Sequence, residues 1–205
     1  MRPPLPRLHA ITDERIARGL ALQEVALALA STGGANLALH ARGRALTGLD
    51  HYALASRLTN DPTARLFVND RLDVALAVKA SGVQLGTGSL PVSAARRLDA
   101  TWWIGKSVHD WAEADAAKAE GADYLLVGPV YATATHPNRQ PLGLETLRRI
   151  VQLGLPVIAI GGIGPGEARA VRAAGAYGVA AIRALWDAAD PAEAARRMLK
   201  ELQGT

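Results

Sequence analysis

The sequence contains no cysteine and few aromatic residues. The missing thiols exclude disulfide bonds, thiolate metal ligands and a cysteine nucleophile. Aromatic residues make up 4% of the chain, whereas nucleic-acid-binding surfaces usually combine a basic stripe with interleaved aromatic side chains. The formal charge of +4 comes mostly from arginines scattered along predicted helices, so we expect solvated helix faces and no nucleic-acid partner.

Long apolar runs are also missing. No uninterrupted run approaches the roughly 18 residues that a membrane-spanning helix needs. Residues 1–6 carry three prolines and an arginine but no apolar core of a signal peptide. We therefore expect a cytoplasmic protein with no membrane partner. A chain of 205 residues suits one domain, and we expect residues 1–205 to form it.

Eight short apolar runs, each followed by an amphipathic stretch, fill the chain. Nearly continuous apolar runs of this length are typical of parallel strands covered on both faces. The predicted strands are residues 8–12, 35–40, 64–69, 82–85, 101–106, 124–127, 156–160 and 178–181. The predicted helices lie near residues 22–31, 50–59, 71–80, 91–98, 110–120, 143–153, 165–174 and 191–203. Eight unbroken alternations predict an α/β fold, a single (β/α)8 TIM barrel, with an open doubly wound sheet as the alternative.

The last two predicted strands end in small residues. The seventh ends at Gly161-Gly162 and the eighth at Ala181-Ile182. TIM barrels commonly bind phosphate with the loops after these two strands. Glycine allows close approach of the backbone to a ligand, and backbone N–H groups ahead of a helix can cradle an anion. We therefore predict that these four residues bind a small phosphorylated ligand.

The longest predicted loop, residues 131–141, follows the sixth strand. It carries Thr133, Thr135, His136 and Arg139, and two prolines limit its freedom. Long loops in compact domains are often lids. We expect this loop to lie over the barrel mouth and to approach an anion with its hydroxyl, imidazole and guanidinium groups.

Polar residues stand at three further strand ends. His40 follows the second strand, and a histidine there can move a proton near neutral pH. Asn69 and Asp70 follow the third strand, where Asp70 either faces a ligand or caps the next helix. Ser107 follows the fifth strand and has the same two interpretations.

Together these segments resemble the thiamin phosphate synthase/TenI family of barrels. The matching segments span essentially the whole chain and comprise Leu8-His9-Ala10-Ile11-Thr12-Asp13, Phe67-Val68-Asn69-Asp70-Arg71, Gly82-Val83-Gln84-Leu85-Gly86, Ile104-Gly105-Lys106-Ser107-Val108-His109, Gly128-Pro129-Val130-Tyr131, Thr133-Ala134-Thr135 and Pro156-Val157-Ile158-Ala159-Ile160-Gly161-Gly162-Ile163. The resemblance implies a TIM barrel in thiamin biosynthesis. Asn69, Ser107, Thr133, Thr135, Gly162 and the 181–182 segment fall on the family's ligand-binding positions.

The synthase branch of this family joins a pyrimidine methyl diphosphate to a thiazole phosphate and expels pyrophosphate. Its pattern has Gln-x-Arg-x-Lys at the end of strand two, where this chain has Ala-Leu-His-Ala-Arg at residues 38–42. Of its two magnesium-binding aspartates, Asp70 matches the first and Ser89 stands at the second. Its lysine after the Thr-x-Thr pair falls on His136. Lost charge partners weaken stabilisation of a diphosphate leaving group, which argues against this branch.

The TenI branch isomerises a carboxythiazole phosphate to its aromatic tautomer, which needs phosphate binding and an acid/base group. Its catalytic histidine falls on Pro129 in this chain. We therefore expect His136 to move the proton, with His40 as the alternative. The resemblance thus favours a thiazole tautomerase with a small phosphorylated thiazole as its partner and no metal or other cofactor.

Two other functions stay open. The first is a thiamin phosphate synthase that uses Mg²⁺, and the second is a barrel that binds thiazole or thiamin phosphate without turnover. The resemblance also implies a homodimer.

Overall fold

The computed structural model describes residues 2–59, 63–133 and 139–203. Eight parallel strands form a closed barrel in sequence order, and the first strand pairs with the last. The strands are β1 (Leu8–Ile11), β2 (Leu37–Ala41), β3 (Arg65–Asn69), β4 (Gly82–Leu85), β5 (Trp103–Val108), β6 (Tyr124–Val127), β7 (Val157–Ile160) and β8 (Gly178–Ala181). The predicted TIM barrel is confirmed, and the open sheet is excluded.

Helices follow the strands and cover the outside of the barrel. They are α1 (Glu14–Ala17), α2 (Leu22–Gly33), α3 (Gly48–Leu58), α4 (Leu72–Ala77), α5 (Val92–Leu98), α6 (Trp111–Ala119), α7 (Gly143–Val151), α8 (Ala168–Ala173), α9 (Arg183–Trp186) and α10 (Pro191–Gln203). The periodicity missed the one-turn helices α1 and α9, which are too short to show an amphipathic pattern. Within the described ranges, no helix is long and apolar enough to cross a bilayer.

Large and small side chains alternate inside the barrel. The ring of Phe67 on β3 lies beside Gly82 on β4, and Tyr124 on β6 lies beside Gly105 on β5. A Cβ atom on Gly82 would lie 2.5 Å from Phe67, and one on Gly105 would lie 2.1 Å from Tyr124. The two rings therefore fill the centre of the barrel because their neighbours lack side chains.

The amino-terminal segment closes the bottom of the barrel. Leu5 is buried among the interior residues, and its carbonyl accepts a 2.6 Å hydrogen bond from the Tyr177 hydroxyl. Arg2 makes a two-point ion pair with Asp123, with N–O distances of 2.8 and 3.1 Å. These contacts seal the end opposite the strand carboxyl ends, so a ligand must enter from the carboxyl side.

Candidate active site

A cavity of about 340 Å³ opens at the carboxyl ends of the strands. Residues after seven of the eight strands, together with Ile11 at the end of β1, form its wall and floor. The lining includes Arg42, Arg44, Asn69, Asp70, Gly86, Ser107, His109, Thr133, Arg139, Gly161, Gly162, Ala181, Ile182 and Arg183. Predicted site residues from five different strand ends therefore surround one space.

The loop after β2 carries two arginines to the cavity, and residues after β1 fix its backbone. The Thr12 hydroxyl donates to the Arg42 carbonyl at 2.8 Å, and the Arg42 N–H donates back to Thr12 Oγ1 at 2.9 Å. The Glu14 carboxylate accepts from the backbone N–H groups of Arg44 and Ala45. Arg42 and Arg44 are thus presented on a loop whose position is set by β1.

The charge around these arginines favours an anion. Burial lowers the pKa of Arg42, and the neighbouring positive charge of Arg44 lowers it further. Two more arginines, Arg139 and Arg183, line the same cavity. A bound anion would relieve the repulsion between Arg42 and Arg44 while gaining charge-assisted hydrogen bonds.

Asp70 faces the β4–α5 loop rather than the helix that follows it. Its Oδ1 accepts from the Gly86 N–H at 2.9 Å and from the Ser89 hydroxyl. Helix α4 instead begins after Arg71 without a side-chain cap. The capping interpretation of Asp70 is therefore wrong, and its carboxylate lines the cavity.

The structure also excludes the interpretation of Ser107 as a helix cap. Strand β5 runs past the predicted end at residue 106, so Ser107 lies inside the strand, and Asp110 caps the next helix. The Ser107 hydroxyl accepts a 2.9 Å hydrogen bond from Gln84 Nε2. Ser107 and Asn69, both on the cavity lining, form a polar floor above the aromatic centre of the barrel.

The structure places His40 beneath this floor. The side chain is fully buried and does not line the cavity. Its ring stacks on Phe67 with centroids 5.0 Å apart, and its Nδ1 contacts the Asn69 side chain at 3.1 Å. Burial holds the pKa of His40 well below its usual range, with the neighbouring His9 as the second cause. His40 thus contacts Asn69 rather than the cavity itself.

Only part of the predicted lid falls within the described residues. Thr133 lines the cavity, and so does Arg139 at the far side of the loop. Thr135 and His136, the latter being the first choice for proton transfer, lie outside the described residues.

Only glycine fits at the two positions after β7, because the loop after β6 packs against them. Gly161 and Gly162 have φ angles of +102° and +65°. A Cβ atom on Gly161 would lie 2.5 Å from Pro129, and one on Gly162 would lie 2.5 Å from the Ala132 carbonyl oxygen. The glycines therefore allow the β6–α7 loop to pack closely, while their backbone lines the cavity.

The segment after β8 lines the cavity beside the paired glycines. Ala180 and Ala181 are small and buried, and Ile182 precedes the one-turn helix α9. Ala181, Ile182 and Gly162 all line the cavity, at the ends of the paired strands β7 and β8. The predicted phosphate-binding residues are therefore brought together.

The sequence analysis did not predict that Arg42 and Arg44 line the cavity. The family pattern Gln-x-Arg-x-Lys, when its arginine is set on Arg42, begins at His40 and ends at Arg44. That register puts a cation at the pattern's lysine position, and the structure places both arginines on the cavity. The argument that the leaving-group contacts are lost is therefore wrong for this part of the pattern.

Comparison with known proteins identifies the family. A family model described as thiamine monophosphate synthase matches residues 8–185. The chain belongs to this family. A thiamine-phosphate synthase of Chloroflexus aurantiacus is 44% identical over 200 residues, covering 96% of this chain and 92% of that protein. Another, from Pyrococcus furiosus, is 38% identical over 205 residues and covers 97% of both chains.

A solved structure agrees with these relatives. Thiamine phosphate pyrophosphorylase from Pyrococcus furiosus superposes with a TM-score of 0.81 at 36% identity, covering 96% of this chain and 95% of that one. The two relatives are named thiamine-phosphate synthase and the solved structure thiamine phosphate pyrophosphorylase; none of the three is named a tautomerase. The expectation of a thiazole tautomerase is therefore wrong, and the arginines at the barrel mouth give the physical reason.

Proposed function

We propose that this protein is a thiamine-phosphate synthase, a transferase that joins a pyrimidine methyl diphosphate to a thiazole phosphate. The observation that carries the proposal is one cavity with two neighbouring arginines after β2 and with glycines and small residues after β7 and β8, where Arg183 adds a further positive charge. Two phosphorylated substrates need two such anion-binding sides. The homology to named synthases supports the same function.

The arginine side would hold the diphosphate. In the reaction the bond between the pyrimidine methylene carbon and the diphosphate oxygen breaks, and the thiazole nitrogen bonds to that carbon. Negative charge grows on the departing oxygen as this bond breaks. Guanidinium groups of Arg42 and Arg44 would stabilise that charge more strongly in the transition state than in the substrate.

Magnesium would fit this side together with the diphosphate. Mg²⁺ is usually held by one or two carboxylates plus substrate phosphate oxygens. Asp70 supplies one carboxylate, and the Ser89 hydroxyl that contacts it is a weaker oxygen donor. Within the described residues, no cluster of three or more acidic, histidine or cysteine side chains exists. When bound, the ion would neutralise charge on the diphosphate.

The side after β7 and β8 would hold the thiazole phosphate. Gly162 and Ile182 line the cavity there, and Thr133 lines the same cavity. Asn69 and Ser107 on the floor would contact the ring between the two anions. In this proposal the barrel of residues 1–205 acts as one domain; the expected homodimer stays a prediction.

A turnover assay with both substrates tests the proposal. Purified protein is mixed with pyrimidine methyl diphosphate, thiazole phosphate and Mg²⁺, and thiamine phosphate and pyrophosphate are quantified separately. We expect both products in equal amounts, and neither when one substrate is omitted. Isomerisation of a carboxythiazole phosphate without thiamine phosphate formation would contradict the proposal. Ligand binding without either product would leave a binding protein instead.

A further inference from the structure

A row of buried hydrogen bonds runs up the inside of the barrel to Asn69. His9 Nε2 lies 3.0 Å from the carbonyl oxygen of Pro6, and His9 Nδ1 lies 2.8 Å from His40 Nε2. His40 Nδ1 in turn lies 3.1 Å from the atom placed as Oδ1 of the Asn69 side-chain amide. Both imidazole rings are fully buried, and Asn69 is 6% exposed at the floor of the cavity.

The number of protons in this row decides which way the amide of Asn69 faces. Three hydrogen bonds need three protons, and the Pro6 carbonyl can only accept. Two neutral imidazoles supply two protons. The third comes either from an additional proton on one imidazole or from the N–H group of Asn69, because the two ends of a side-chain amide exchange places by a half turn.

The surroundings favour neutral imidazoles. Phe67 packs against both rings, with centroids 5.0 Å from that of His40 and 5.6 Å from that of His9. Burial lowers the pKa of His9 to about 4 and holds that of His40 well below its usual range. A cation shared between two rings in this apolar centre would lack a compensating charge. The third proton therefore belongs to Asn69.

We propose that His9 and His40 are positioning residues that hold the Asn69 amide with Nδ2 toward His40 and Oδ1 toward the cavity, a half turn from the placement of the two ends in the structure. His9 donates from Nε2 to Pro6 and accepts at Nδ1. His40 donates from Nε2 to His9 and accepts at Nδ1 from Asn69. Neither histidine contacts the cavity, so both act through the amide.

This orientation gives the floor two different hydrogen-bonding groups. Ser107 Oγ accepts from Gln84, which leaves its own O–H to donate into the cavity. Asn69 presents an acceptor instead. The ring that meets this floor must then offer an N–H or O–H donor to Asn69 and an acceptor to Ser107. The reversed amide would present donors from both residues and would reject such a ring.

The first test measures imidazole tautomers and needs no turnover. Long-range ¹H–¹⁵N spectra of the ¹⁵N-labelled protein at pH 7.5 distinguish Nε2–H, Nδ1–H and doubly protonated rings, and the His9→Phe and His40→Gln variants assign the signals. We expect both His9 and His40 as neutral Nε2–H tautomers. A proton on His40 Nδ1, in a neutral or a charged ring, would overturn the proposal.

The second test is kinetic and rests on the proposed synthase function. His9→Phe keeps a ring of similar size but removes the acceptor that fixes His40. We expect KM for the pyrimidine substrate to rise about tenfold, while kcat and KM for the thiazole phosphate stay within about twofold. Equal increases in both KM values, or no increase, would contradict a positioning role.

Two further variants separate positioning from general destabilisation. His51→Gln changes another buried histidine. Among the hydrogen bonds described for the His51 ring, its Nε2 contacts the backbone carbonyl of Ala41 at 2.9 Å. This variant should leave both KM values unchanged. His40→Gln retains an amide that can accept from Asn69, so it should recover most of the affinity that His40→Leu loses. If wild-type protein forms no thiamine phosphate, the proposed function fails, whereas the tautomer measurement still decides the orientation of Asn69.

Discussion

Two arginines on one short loop place two positive charges at the barrel mouth. Arg42 is half-buried and Arg44 is exposed, so the first packs against the protein while the second faces the solvent-filled entrance. A guanidinium group binds phosphate oxygens at two points and keeps its charge at any physiological pH. We therefore expect Arg44 to contribute to diphosphate binding with little effect on folding.

Replacement of Arg44 by alanine tests this contribution. Loss of one charge-assisted hydrogen bond should lower kcat/KM for the pyrimidine diphosphate by about 10- to 100-fold. The unfolding free energy should change by less than about 0.5 kcal/mol because the side chain is exposed. The matched control is Arg97→Ala, an exposed arginine on α5 that lies outside the cavity. An equal effect of both variants would mean that overall charge, not the site, attracts the diphosphate.

Individual residues also show where sequence reasoning stops. Apolar runs followed by Asn69, Gly162 or Ile182 placed these positions at the barrel mouth, because strand ends define that edge. The partner of a side chain is not encoded in its spacing. The sequence therefore predicted either a helix cap or a ligand contact for Asp70. The hydrogen bond from Gly86 in the β4–α5 loop distinguishes the two.

Among the loops, those after β6 and β7 behave as one unit. The Val130 N–H donates to the Ile160 carbonyl at 2.8 Å, and the Tyr131 N–H donates to the Gly161 carbonyl at 3.0 Å. The glycines leave room for this pairing, which also brings Thr133 to the cavity. The geometry of the proposed thiazole phosphate side thus depends on backbone packing between two loops.

A Gly162→Ala substitution should disturb this unit. The new Cβ atom would meet the Ala132 carbonyl oxygen at 2.5 Å, at a φ of +65° that alanine rarely adopts. We expect a loss of about 2–3 kcal/mol in unfolding free energy, measured in urea, and a KM for thiazole phosphate about tenfold higher. Gly166→Ala, with open space around its Cβ position and no positive φ, is the matched control. Identical behaviour of the two variants would contradict this packing role.

Element boundaries followed the apolar pattern well in the strands and less well beside turns. Strands β4, β6 and β8 begin and end as predicted. Strand β2 starts two residues later than predicted, since Gly34–Asn36 form a 3-10 turn. The loop that carries Arg42 and Arg44 has no periodicity, and its shape depends on Thr12 and Glu14 from another element.

Across the whole molecule, the buried histidine pair links stability to pH. The pKa of His9 falls from 6.5 in the unfolded chain to about 4 in the folded protein. Between these values the unfolded chain binds more protons, so stability is complete above pH 6.5 and is lost as the pH falls toward 4. The pKa of Asp73 falls from 3.8 to about 2 beside Arg71, so its effect begins only at lower pH.

Unfolding in urea at pH 7.5 and pH 5 checks this dependence. His9 alone should lower the unfolding free energy by roughly 2 kcal/mol at the lower pH. His9→Phe should remove the part that His9 contributes, because phenylalanine does not titrate, whereas the buried His40 should still lower stability at pH 5. His109→Gln, which changes a histidine on the cavity rim, should retain the full difference. Equal stability of the wild-type protein at both pH values would show that the pair is charged or solvated.

The central claim is that one cavity binds two anions, one at the loop after β2 and the other at the loops after β7 and β8. Crystal structures with pyrophosphate and with thiamine phosphate test it most directly. We predict pyrophosphate on the guanidinium groups of Arg42 and Arg44, and the phosphate of thiamine phosphate on the backbone of Gly162 and Ile182. Both anions on the same side, or either ligand outside the cavity, would contradict the account.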